Sequence, residues 1–82
     1  NTVSRNVVSV FPNPASADLK INSSEVIESI AIYDAIGNLV REIKNVKANQ
    51  YQLDRKGLES GIYFVKTMSE KNHQAIQKIV LQ

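Results

Sequence analysis

Ser29-Ile30-Ala31-Ile32-Tyr33-Asp34-Ala35-Ile36-Gly37-Asn38-Leu39-Val40 is the stretch that decides the fold. Side chains along an extended strand alternate with period two, so Ile30 and Ile32 share one face and Ala31 and Tyr33 the other. Apolar residues on both faces predict a central strand in a two-layer packing. Asp34 suits the first position of a type I turn, and Gly37 supplies the positive φ that closes it as a bulge. A strand, a tight turn and a return strand over residues 38–43 follow.

The same alternation extends in both directions. Residues 7–11 form an apolar run that ends at Pro12, which has no N–H to give to a ladder. Leu19 and Ile21 alternate with Asp18, Lys20 and Asn22. Residues 44–49 are polar and lysine-rich and read as a loop, as does Asn22-Ser23-Ser24. A short strand over 50–53 puts Tyr51 and Leu53 on one side. Leu58 is placed as a plug beneath the connection 54–60, where residues 56–60 have room for one helical turn. Residues 61–68 are β-branched or aromatic at most positions and make the strongest strand. A turn at 69–72 leads into a last strand over 74–81. Seven short strands at this spacing predict an all-β chain, a small antiparallel β-sandwich of immunoglobulin-like, Greek-key type.

Length and composition narrow the function. Eighty-two residues make one small domain, and without cysteine its core has no disulfide or thiolate metal staple. A stable monomer or a weak dimer is expected. Ten basic and eight acidic residues nearly balance, so the Lys44/Lys47 and Arg55-Lys56 pairs read as solvated loop charge and no nucleic-acid partner is expected. No apolar stretch reaches the ~20 residues of a membrane helix, so no membrane insertion is expected. The chain opens without Met and with no charged-then-apolar leader, which predicts a piece of a longer protein. Residues 1–6 read as the end of a linker from upstream cargo and residues 7–82 as the domain.

Nothing points to catalysis. A nucleophilic triad needs a base, and the lone histidine, His73, falls in the polar turn Glu70-Lys71-Asn72-His73. Asp34 is committed to its turn, Asp54 ends a strand, and neither adjoins a pocket signature. No metal site and no cofactor are expected, for want of an Asp-x-Asp-x-Asp loop or a second histidine. Tyr33, Tyr51 and Tyr63 read as core or core-edge aromatics rather than an exposed sugar-stacking row.

Four pieces in order carry a resemblance. They are Phe11-Pro12-Asn13-Pro14, the stretch from Ile30 to Val40, Leu53 with Leu58-Glu59-Ser60-Gly61-Ile62-Tyr63-Phe64-Val65-Lys66, and Gln77-Lys78-Ile79-Val80-Leu81. Together they resemble the C-terminal sorting domain of the type IX (Por) secretion system of Bacteroidetes, over nearly the whole chain. The positions that match its motifs are Pro12, Asn13, Pro14, Gly37, Gly61, Tyr63, Lys66, Lys78, Ile79 and Val80. The chain departs from the family at Leu81-Gln82, where a basic residue is common. The resemblance implies a folded, non-enzymatic secretion signal that passes through the periplasm. It further implies two partners: the outer-membrane translocon that reads the domain, and a sortase-like surface peptidase that removes it in many members while others keep it, leaving cargo on the surface or secreted. A second reading is an accessory carbohydrate- or surface-binding module of a secreted enzyme. The terminal strand suits capture by β-augmentation, with Lys78 either read by the partner or guarding the edge.

Overall fold

The computed structural model describes residues 7–12 and 17–82, which form five antiparallel strands and no helix. These are β1 (Val8–Phe11), β2 (Leu19–Asp34), β3 (Leu39–Leu53), β4 (Gly61–Ser69) and β5 (Gln74–Leu81). The all-β, antiparallel expectation holds, but the count of seven does not. Two expected strands, residues 19–22 and 29–34, are the two ends of a single 16-residue β2. The expected strands at 38–43 and 50–53 are likewise the ends of the 15-residue β3. Nor are there two separate sheets among the described residues: one hydrogen-bonded sheet curls back on itself.

Tertiary pairing explains why polar segments that read as turns are strand. β2 pairs along one edge with β3 over nearly its whole length, from Leu19↔Leu53 to Tyr33↔Leu39. Its other edge is shared, with β1 on residues 20–23 and β4 from Ile27 to Asp34. The Ser23–Val26 region therefore finds partners on several sides. Ser24 N–H donates to the Val7 carbonyl, Asn49 Nδ2 to the Ser23 carbonyl, and Glu70 N–H to the Val26 carbonyl. The lysine-rich segment of β3 stays extended by bulging, with Asn45 and Lys47 at positive φ of 58° and 54° and register breaks between Asn22 and Ile27. Bulges of this kind bend a sheet. Here they fold the long hairpin over, so that its two halves face each other across the core.

The core lies between those halves. Leu19, Ile21 and Leu53 come from one, and Ile30, Ile32, Val65, Ile79 and Leu81 from the other, all at most 2% exposed. Leu58 plugs the β3–β4 connection from below, as the sequence predicts, and that connection is pinned at several points. The Arg41 guanidinium donates to the carbonyls of Asp54 and Lys56. Arg55 donates to the carbonyls of Leu58 and, at 2.7 Å, Gln82. β1 lies beside β5, and Gln77 Nε2 donates to the Val8 carbonyl across that junction.

One core hydroxyl has no partner among the described residues. Thr67 is fully buried, opposite Ile30 and Ala75, and its Oγ1 makes no hydrogen bond. A buried unmade hydrogen bond costs about 1–3 kcal/mol. Thr67→Val keeps the shape and removes the cost, so it should raise the urea midpoint by the equivalent of about 1 kcal/mol. A lowered midpoint would show that the hydroxyl has a partner after all.

Candidate recognition surface

Residues paired directly across antiparallel strands share a face. In one row Leu39 pairs Tyr33, Tyr33 pairs Phe64, and Phe64 pairs Lys78. In the next, Glu42 pairs Ala31, Ala31 pairs Lys66, and Lys66 pairs Ile76. Beyond Phe64, Ile62 pairs Val80. All these side chains point away from the core. Leu39, Ile62 and Ile76 are 52%, 40% and 61% exposed, and Tyr33, Phe64 and Val80 are half-buried by their neighbours. The result is an apolar band across β3, β2, β4 and β5, studded with Lys66 and Lys78.

The outer face of the other half is unlike it. Its rows are Phe11–Lys20–Gln52 and Ser9–Asn22–Gln50, and Lys20, Asn22, Gln50, Tyr51 and Gln52 line a shallow open cleft of about 340 Å³. That is the amide-rich surface expected of a sheet facing water. The contrast marks the β2–β4–β5 face as the exception.

The turn at one end of the band is built as the sequence predicts. Asp34 Oδ1 accepts the N–H groups of Asn38 at 2.9 Å and Ile36 at 3.1 Å, and Gly37 has φ of 95°. Those hydrogen bonds, the Asn38 N–H above all, hold the Asp34 carboxyl below the usual carboxylate range. The turn carries Ile36, 84% exposed, at its tip. Between it and the start of β4 lies an open cleft of about 300 Å³ lined by Asp34, Ile36, Glu59, Gly61, Ile62 and Tyr63 among others. Gly61 has φ of 151°, which a side chain would strain. Tyr63 points inward, 8% exposed, and its hydroxyl donates to the Glu59 carbonyl at 2.7 Å.

The structure thus divides the residues singled out in the sequence. Lys66, Lys78 and Val80 lie on the outer band, and Gly37 and Gly61 shape its end. Ile79 is buried in the core, and Tyr63 is core apart from the small part of it that lines the cleft. Pro12 ends β1 on the far half, after a cis Phe11-Pro12 bond, while Asn13 and Pro14 lie outside the described residues, as does the linker at residues 1–6. Tyr33 and Phe64 stand side by side on the outer face, half-buried, while Tyr63 is core. The signal was in the sequence: strands apolar on both faces, with only one face needed for the core.

At the opposite end, the β4–β5 turn is latched onto the bend in β2. His73 Nδ1 lies 2.9 and 3.0 Å from the two Glu25 carboxylate oxygens, and Ser69 Oγ accepts the N–H groups of Lys71 and His73. A hydrogen bond from the Ser69 side chain, helped by His73, lowers the Glu25 pKa from its usual value of 4.5. A carboxyl with a depressed folded-state pKa stabilises the fold above its unfolded value, and that stability is lost as pH falls through the folded value. Glu25→Gln should therefore lower the urea midpoint at neutral pH, and the difference from wild type should shrink as pH falls through the folded carboxyl's lowered pKa. A difference that persists unchanged in acid strong enough to protonate that carboxyl would show that the latch works without its charge.

Residues 9–82 match the family described as the secretion system C-terminal sorting domain. The chain belongs to the C-terminal sorting domain family of the type IX secretion system. Over 70 residues, covering 83% of its length, the sorting domain is 30% identical to beta-agarase A of Zobellia galactanivorans. It spans only 13% of that relative's length. In fold it resembles PorZ, an essential surface component of the type IX secretion system of Porphyromonas gingivalis. The TM-score is 0.73 at 20% identity, over 92% of this chain and 11% of that one. It also resembles CopC of Methylosinus trichosporium OB3b, with TM-score 0.52 and 24% identity over 92% and 91% of the two chains. At such identities the structural likenesses show the fold alone. Membership makes the sorting domain a type IX signal for export to the cell surface or beyond, and the family is not catalytic.

Proposed function

We propose that the outer-membrane translocon of the type IX system reads this domain as a folded address. Upstream cargo, joined through residues 1–6, reaches the periplasm, the domain folds there, and the translocon carries the pair to the surface. A sortase-like peptidase then removes the domain, which has no activity of its own. The observation that supports this reading is the outward band: the stretch from Ile30 to Val40, the stretch from Gly61 to Lys66 and the stretch from Lys78 to Val80 are adjacent strands presenting one apolar face. Contiguous exposed apolar surface of this kind suits contact with a protein partner.

The test is a fusion of residues 1–82 behind a reporter with a periplasmic signal peptide, in a type IX-competent host. The reporter should become accessible to protease added outside the cells. A reporter that stays periplasmic behind an intact, folded domain would sink the proposal.

A further inference from the structure

We infer that the partner meeting the outer band is a protein surface that sets carboxylates against the β4–β5 side and an apolar seat beneath Tyr33, Phe64 and Ile62. The inference rests on the proposed sorting function and specifies the chemistry of its recognition step. The row Glu42–Ala31–Lys66 spans three neighbouring strands. At ~4.8 Å per strand, the backbone positions of its two charged residues stand about 10 Å apart. Lys78 adjoins Phe64 in the next row, and Lys44, paired with Ser29, faces the same way. The face thus carries three lysines and one glutamate, with the positive end over β4 and β5.

That pattern selects among occupants. A second copy of the chain would bring the same excess of positive charge against itself. A uniform anionic lipid surface would meet Glu42 as well as the lysines. It would also gain little from Tyr33 and Phe64, which are already half-buried by their neighbours. A protein surface can match both the charge order and the apolar band, with charge setting encounter rate and register and the aromatics supplying buried area.

The experiment uses the reporter fusion with the band altered. K66E/K78E should cut surface delivery at least tenfold, K66R/K78R should retain it, and I62S should cut it severalfold. Circular dichroism melts confirm that each variant folds, and K66Q/K78Q replaces any that does not. A photo-cross-linking residue at position 62 should capture an export-machinery protein at a segment containing Asp or Glu, and K66E/K78E should lose that cross-link. Full delivery by folded K66E/K78E overturns the inference and leaves the sorting function standing. Equal loss in K66R/K78R overturns it too, since charge is then not what is read. So does capture of a second copy, of the reporter or of lipid. Failure of the unaltered fusion to leave the periplasm sinks the sorting function itself.

Discussion

Ile79→Ala should be among the most damaging single changes in this domain. Ile79 is fully buried and pairs with Tyr63 in the middle of the β4–β5 ladder. Truncating a buried isoleucine loses its transfer free energy and leaves a cavity, about 2–5 kcal/mol together. A domain of this size has a total stability near the low end of the usual range, roughly 5 kcal/mol. The change should therefore remove roughly half or more of that stability and lower the urea midpoint in proportion, with the slope unaltered where it can still be measured. Val80→Ala, one residue on and facing outward, should cost much less. Equal losses at the two positions would mean that the facing of β5 is assigned wrongly. Because Ile79 acts through the core, export lost in Ile79→Ala should track the unfolded fraction.

Tyr63→Ala should cost about 3–5 kcal/mol by removing a buried aromatic ring, while Tyr63→Phe should cost about 0.5–1.5 kcal/mol, the worth of one hydrogen bond. The difference isolates two jobs. The ring fills the core opposite Ile79, and the hydroxyl ties the strand to the Glu59 carbonyl four residues upstream, an arrangement like the tyrosine corner of β-sandwich domains. With the hydroxyl gone, the 54–60 connection keeps its ties to Arg41 and Arg55. Hydrogen exchange in that connection should quicken while the core strands stay protected. A Phe variant as damaged as the Ala variant would show that the hydroxyl, not the ring, holds this corner.

The outer band is partly legible in the sequence. Lys66, Lys78 and Val80 stand in its motifs, and their strands do present one face. Tyr63 and Ile79 came from the same motifs and turned out to be core. A motif records that a position is constrained without recording whether packing or a partner constrains it. Ile62 and Phe64, which complete the band, were hidden because an outward apolar residue on a two-faced strand looks the same in sequence as an inward one. Neither register nor curvature is local, and both were needed to tell them apart.

By itself the sequence determined the all-β class, the Asp34–Gly37 turn, the Leu58 plug and the family, because alternation, turn chemistry and ordered motifs are local properties of a chain. Tertiary structure decided that seven expected strands are five. Ser23, Ser24 and the lysine-rich segment 44–49 have turn and loop chemistry, yet they remain extended: Ser23 pairs Val8 of β1 and accepts from Asn49, the Ser24 N–H donates to the Val7 carbonyl, and the lysine-rich segment pairs with β2. It also decided which of two apolar faces became core. Curling one sheet upon itself buries a single side of each strand, and only the curl determines which side is left to meet another molecule.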